Sequence, residues 1–475
     1  MPKKEVFWAI AIQLLLVSIA AGGDVIGPIY QDISNMPEYD RKYMRYLDFS
    51  NIPVDKLDKY LKVISGHVNG LSRKTRIQIP VVIAKTMMRL DTRYYGWNLN
   101  VWEKFRDNDL YFRIQIQTDW PGGVWEGDGK NYPKGAFKVS GATGSYTAMA
   151  PWVAETPEQL KKLAYIQKEI GDKAFVLRAD WWFADTAAQE DKVVGYYGLL
   201  EIKDQKDFEN VARFNVATAA ELEHRRVVLN SGIALQRRRV ERLATVKGGL
   251  WRTFDNKKAT GKGNPAVFLD DEFTFDATEQ FAPLPNGLPV WFLANNKGVR
   301  QDKAPDNIVG GDTTTHSNDT RLQVGISCWR CHSGKGESGI KEVLSAKIRK
   351  IFGKDYDQLQ EIDRQYMREW QEELSTDRRR FELAIKEATG MSFQEYGEAY
   401  GDFYSWYEDA KIDLARAALD LNCTVEQFKA GMESQEKLTG QLHPDLTVIL
   451  SGTLTMRQWE EVYPLAQATI RGIQP

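Results

Sequence analysis

Cysteine is scarce in this chain. There are three in 475 residues, too few for a disulfide framework, and a chain of this length can bury a core without such staples. Histidine is almost as rare, with five, and none falls in an H-E-x-x-H spacing. An excess of one charge is also missing: 63 Lys and Arg stand against 65 Asp and Glu, for a formal net charge of −2. Loss of Lys3, Lys4 and Glu5 with a leader would make it slightly more acidic. That balance argues against a nucleic-acid partner, which needs a strongly basic face. Beyond residue 22 no apolar run approaches the ~20 residues of a bilayer-spanning helix. Internal repeats, low-complexity tails, a nucleophile elbow, a Walker loop and EF-hand spacing are absent too. What remains is ordinary globular composition, 43% hydrophobic and 27% charged, with a length that suggests about two to three domains.

Two of the three cysteines fall together, in Cys328-Trp329-Arg330-Cys331-His332. C-x-x-C-H is the attachment signature of a c-type haem. Each thiol adds across one vinyl group, so both sulfurs must lie on one side of a single turn. The imidazole that follows becomes the proximal iron ligand. Cys328 and Cys331 are therefore the expected thioether anchors and His332 the expected axial nitrogen of one covalent haem c. Three alternatives compete. A zinc site needs four N or S ligands, usually in two pairs, and only Cys423 is left as a thiol. A redox C-x-x-C sits beside a βαβ pattern, which is not found here. A disulfide between residues three apart is strained. Cys423, beside a helix start, reads as a buried packing thiol.

The N-terminus agrees with haem attachment, which takes place outside the bacterial cytoplasm. A short basic segment, Met1 to Lys4, precedes a mostly apolar run from Val6 to Ala21, with small residues at cleavage spacing near Ala20-Ala21-Gly22. Residues 1–22 are thus expected to be a signal peptide, and the protein to be periplasmic or otherwise exported. An uncleaved N-terminal anchor is the one membrane attachment the sequence leaves open.

Further along, Arg41 to Leu47 suggests a short helix, and Val54 to Ile64 has helical spacing after Pro53. Ile77 to Thr92 alternates like one or two strands. Trp102 to Phe105 reads as helical, and Pro121 to Thr147 as a long glycine-rich loop. Thr156-Pro157-Glu158-Gln159 is a helix start. Ala174 to Ala188 is too apolar for a surface segment and fits strand or helix; Lys206 to Asn215 reads as helix. Arg237-Arg238-Arg239 reads as a solvated strand face, with docking to an acidic partner or haem propionates as the other possibility. Leu250 to Phe254 and Phe273 to Phe275 read as strands. Asn286-Gly287 marks a hairpin turn, from which Val290 to Ala294 leaves as a strand. After His332, Ser338–Phe352, Asp357–Leu374, Arg378–Ala388 and Phe393–Leu421 are helical in period. Ser392, Thr424 and Thr455 each open a capping box.

The expected fold is therefore α+β: residues 23–200 a mixed α/β region, 201–350 a β-rich region with a hairpin before the haem motif, and 351–475 an all-helical C-terminal third.

With these segments laid out, Leu284-Pro285-Asn286-Gly287-Leu288, Lys297-Gly298, Ala304-Pro305-Asp306-Asn307-Ile308-Val309 and Gly325-Ile326-Ser327-Cys328-x-x-Cys331-His332 resemble a run in large bacterial monohaem c-type cytochrome-like proteins. Leu90-Asp91, Tyr95-Gly96-Trp97, Trp102-Glu103 and Leu177-Arg178-Ala179-Asp180-Trp181 are similar to that group as well. The likeness covers roughly residues 40 to 335. It implies an exported haem protein but brings no reaction with it, and only Cys328, Cys331 and His332 carry over as functional residues. The glycine-rich loop and Asp312 to Asn318 depart from the pattern as local insertions.

Function turns on the sixth iron ligand. A Met or His there makes an electron carrier; an open position admits a small ligand. Met367 and Met391 lie at the distance after the motif where small cytochromes c place a distal methionine. His316 sits close in sequence, in a polar loop. The other histidines, His67, His224 and His443, read as surface or satisfied core residues. Trp251, Trp291 and Trp329 are expected haem neighbours. The expected function is one-electron transfer with a redox partner protein. A haem enzyme of peroxidase or oxygenase type, or a small-ligand sensor, is the alternative, and a haem that only staples a binding protein a third.

Overall fold

The computed structural model describes residues 26–50, 52–94, 113–117, 124–126, 146–147, 157–171, 175–188, 195–216, 224–230, 237–257, 274–304, 308, 322–333, 361–421, 423–439, 442–456 and most of 458–466. The leader 1–22, the Trp102 segment, His316 and the Ser338–Phe352 segment lie outside them, as do most of the glycine-rich loop and the side chain of Met367.

The fold is α+β. Near the N-terminus four strands form one sheet in the order β2-β3-β1-β7: β1 (Met44–Asp48), β2 (Val81–Ala84), β3 (Met87–Asp91) and β7 (Val176–Arg178). The helical reading of Arg41 to Leu47 fails here. Every side chain of β1 is buried: the strand is central in its sheet, between antiparallel β3 and parallel β7, and its two faces pack into different clusters, Met44 and Tyr46 in one and Leu47 in the other. A strand covered on both faces shows no alternation, and tertiary pairing overrides local preference. The expected strand or helix at Ala174–Ala188 is both, β7 running directly into helix Ala179–Ala187. Ahead of the glycine-rich loop, β4 (Arg113–Gln117) pairs with two short strands inside it, β5 (Val124–Glu126) and β6 (Tyr146–Thr147).

The middle of the chain is a five-stranded antiparallel meander: β8 (His224–Asn230), β9 (Arg237–Thr245), β10 (Gly248–Asp255), β11 (Ala277–Pro283) and β12 (Pro289–Asn295). The β11–β12 turn is the one that Asn286-Gly287 marks, and Gly287 takes φ +90° there. β11 starts at Ala277; of the strand expected at Phe273–Phe275, Thr274 and Phe275 are not strand and Phe273 lies outside the described residues. Edge strand β12 is closed by tyrosines: Trp291 N–H donates to the Tyr196 hydroxyl (2.9 Å) and Leu293 N–H to that of Tyr197 (2.6 Å). Unpaired edge groups are thus satisfied by side chains. Arg239 is not solvated as a strand-face reading requires; it is buried against Glu241 at 2.7 Å.

The C-terminal part is helical, with one departure. Asp357–Leu374 and Arg378–Ala388 merge into one helix, Glu361–Thr389, followed by Phe393–Glu408, Leu414–Asp420, Val425–Thr439 and Pro444–Ile449. Between them Lys411–Ile412 pairs with Leu454–Thr455, so the region is not all-helical; burial of Ile412 and Leu454 accompanies that short ladder. All three capping boxes form, at Ser392/Glu395, Thr424/Gln427 and Thr455/Gln458. One hydrophobic cluster runs from Leu47 to Ala466 and takes in residues of the four-stranded sheet, the five-stranded meander and the C-terminal helices.

His67 is a satisfied core residue. Thr186 donates its hydroxyl to Trp182 O (2.7 Å), so its Oγ1 accepts from His67 Nε2–H (2.8 Å), and Tyr400 donates to Nδ1 (3.0 Å). Burial holds this imidazole neutral, with its pKa pulled down to about 3. The unfolded chain binds a proton here below about pH 6.5 that the fold refuses. Stability from this site is therefore complete above that pH and drains away on acidification toward 3. Asp48 acts in the opposite sense between ~4 and 6, since burial pushes its carboxyl up to about 6. Urea unfolding of wild type and His67→Gln isolates the histidine: the stability gap should shrink by ~1.4 kcal/mol per pH unit below 6.5. A gap constant from pH 7 to 5 would show that His67 is not held neutral.

Candidate functional site

The motif sits on a helix, Ile326–Ser333. Its start is fixed by Gly325, which adopts φ +86°. A Cβ at that position would run into the Ala187 carbonyl and the Tyr196 ring. Gln323 is tied to the same corner: its N–H donates to Ser327 Oγ (2.9 Å) and its carbonyl accepts from Ser327 N–H (3.1 Å). Gly325→Ala should cost at least ~2 kcal/mol from the left-handed conformation and the clash, read as a lower urea midpoint with an unchanged slope.

Three apart on one helix, Cys328 and Cys331 share a face. Both line one pocket between this helix and the meander, about 520 Å³ of empty space counting the part open to solvent. Leu293, Ile308 and Leu322 supply apolar walls, and Asp255, Glu279 and Gln323 the polar points. Both thiols are unbridged, so no disulfide forms between them. Cys423 is half-buried at the edge of the main cluster, less enclosed than a core thiol.

His332 lies over the sheet face. Register places Trp251, Phe281 and Trp291 side by side across β10, β11 and β12. The His332 ring stands 4.9 Å from Trp291 and 5.4 Å from Phe281, centroid to centroid. Trp329 meets Trp291 edge-on at 5.8 Å and packs on Tyr396 (5.0 Å) and Tyr400 (5.8 Å) of helix Phe393–Glu408. Of the three tryptophans expected beside the motif, Trp291 and Trp329 are its direct neighbours, while Trp251 sits one layer behind, through Phe281 (6.4 Å).

Two further residues belong to the site that the motif alone does not single out. Glu279 brings Oε1 to 3.5 Å from His332 Nε2 and lines the cavity. Its place was readable: two positions before Phe281 on a strand, it must share that residue's face. Gln323 carried no such signal. It is 1% exposed, and neither its side-chain oxygen nor its nitrogen has a hydrogen-bond partner among the described residues. An orphaned buried polar group costs ~1–3 kcal/mol, and native folds keep few of them.

Of the distal candidates, Met391 packs half-buried against the main cluster and is not among the cavity's lining residues. Met367 belongs to helix Glu361–Thr389. Among the described residues no group of three or more His, Cys, Asp and Glu converges as a metal site, so no zinc cluster forms there. No described helix is long and apolar enough to cross a membrane.

Cys328, Cys331 and His332 are the residues that would hold a haem at a C-x-x-C-H turn. Both thiols border the pocket, whereas His332 is not among its lining residues and has Glu279 beside its Nε2. No known protein family, curated protein or solved structure matches the chain.

Proposed function

We propose that the chain is an exported c-type cytochrome with one covalent haem c, anchored by Cys328 and Cys331 and ligated by His332, that passes single electrons to or from a redox partner protein. The observation that carries this reading is the opening of both thiols of a C-x-x-C-H helix onto one largely apolar cavity. When bound, the haem supplies a one-electron iron couple. The chain's own residues do the rest. The cysteines fix the macrocycle's position, Trp291 and Phe281 keep water from one side of His332, and the helix Phe393–Glu408 backs the motif through Trp329.

The proposal is tested on acid-acetone-extracted protein exported from cells with a cytochrome c maturation system. A pyridine haemochrome band and a mass increment of one protohaem are expected. Their absence ends the reading. A second reading, an iron site that admits a small ligand, shares the cofactor. Carbon monoxide binding by the reduced protein separates the two.

A further inference from the structure

We infer that the sheet edge formed by β2 docks on the surface of an anionic lipid bilayer, an attachment that depends neither on a leader nor on the haem reading.

Three aliphatic side chains within four positions stand in solvent at this edge: Ile79 is 58% exposed, Val81 45% and Val82 48%. Single exposed apolar residues are ordinary, whereas contiguous ones mark a contact. Strand alternation sends Val81 and Val82 to opposite faces, so the edge is a ridge wetted on both sides. It is held firmly from behind. Buried Asn69 donates its amide to Gln78 O (2.9 Å) and accepts from Gln78 N–H (3.0 Å), and β3 pairs with the strand along its inner side.

The charge around the ridge is one-sided. Lys74, Arg76, Lys85 and Arg213 are exposed, with no ion-pair partner among the described residues. Arg213 belongs to the same corner, its Nη2 donating to Arg73 O (3.3 Å). The neighbouring anions are already taken: Glu201 by Arg73, Asp32 by Arg89, and Asp40 and Asp91 by Arg93.

A partner strand is a poor occupant. The edge is short, Pro80 withholds an N–H, the ladder shifts register between Val82 and Ala84, and Lys85 closes its far end. Each of these blunts strand addition. Antiparallel pairing with a second copy would also set Lys85 of one against the Lys74–Arg76 end of the other. What the ridge offers is side chains on both flanks. A fluid headgroup boundary closes round such a shape, where a rigid protein face meets one flank. Apolar insertion and the attraction of cations to anionic headgroups then act together.

The test takes protein from the soluble exported fraction and pellets it with vesicles of phosphatidylcholine, alone or mixed with phosphatidylglycerol. Wild type is compared with Lys74→Gln/Arg76→Gln and with Val81→Thr/Val82→Thr. All four side chains are exposed and threonine stays β-branched, so urea midpoints should not move. The expected result is binding to the mixed vesicles only, weakened by salt. Loss of the two cations should lower it ~30-fold, and the two threonines should lower it several-fold. Equal binding to both kinds of vesicle overturns the assignment, as does binding that ignores all four substitutions. Binding to neither overturns it too, and leaves the ridge to an acidic protein face.

Discussion

Asp420→Asn is expected to destabilise the protein by ~3–5 kcal/mol, the usual result of stripping one partner from a buried ion cluster. Asp420 is bonded on every side. Arg178 Nη1 lies 3.0 Å from one oxygen and Arg416 Nε 3.0 Å from the other. Trp459 Nε1–H donates to the first oxygen (3.1 Å) and the Tyr463 hydroxyl to the backbone carbonyl (3.2 Å). Arg178 is also paired with Asp180 at 2.8 Å. Burial alone would push the Asp180 carboxyl up, but the adjoining guanidinium holds it below the usual carboxylate range. Two cations therefore balance two anions, and Asn at 420 leaves one positive charge in excess, shared between buried Arg178 and partly exposed Arg416. Urea unfolding at neutral pH measures the loss. A change under ~1 kcal/mol, the size of an exposed pair, would mean that solvent reaches the cluster.

Cys328→Ser together with Cys331→Ser should abolish covalent haem entirely, the largest functional effect of any substitution here. The single variants should differ from the double in kind. Each keeps one thiol at the cavity wall, hence one thioether, and leaves one vinyl conjugated with the ring. Their pyridine haemochrome band should sit at longer wavelength than that of wild type, because a conjugated vinyl lowers the transition energy. Lost haem also removes whatever stability ligation supplies to the fold, so the double variant should melt at lower temperature than either single. Covalent haem persisting in the double variant would contradict the assignment of both anchors.

Legibility in the sequence followed the range of the forces involved. Asn286-Gly287 foretold its hairpin, and Ser392, Thr424 and Thr455 foretold their helix starts, because turn and cap chemistry act within a few residues. The motif residues stood out for the same reason: thioether spacing is local. Strand β1 did not, because its state depends on Phe175 and Leu90, far along the chain, rather than on its own pattern. Glu279 could have been placed from strand alternation once the hairpin was known. Gln323 could not, since nothing in a lone glutamine announces that a fold will bury it unpaired.

The meander has a consequence for assembly. Each of its strands after the first pairs with the strand before it, so its ladders close over short stretches of chain, whereas β1 and β7 meet only through residues as far apart as Tyr46 and Val176. Low sequence separation favours early formation. We expect pulse-labelled amides of β9 to β12 to gain protection ahead of those in Phe393–Glu408. The sheet side of the pocket would then be in place before the helix that backs the motif through Trp329 packs onto it.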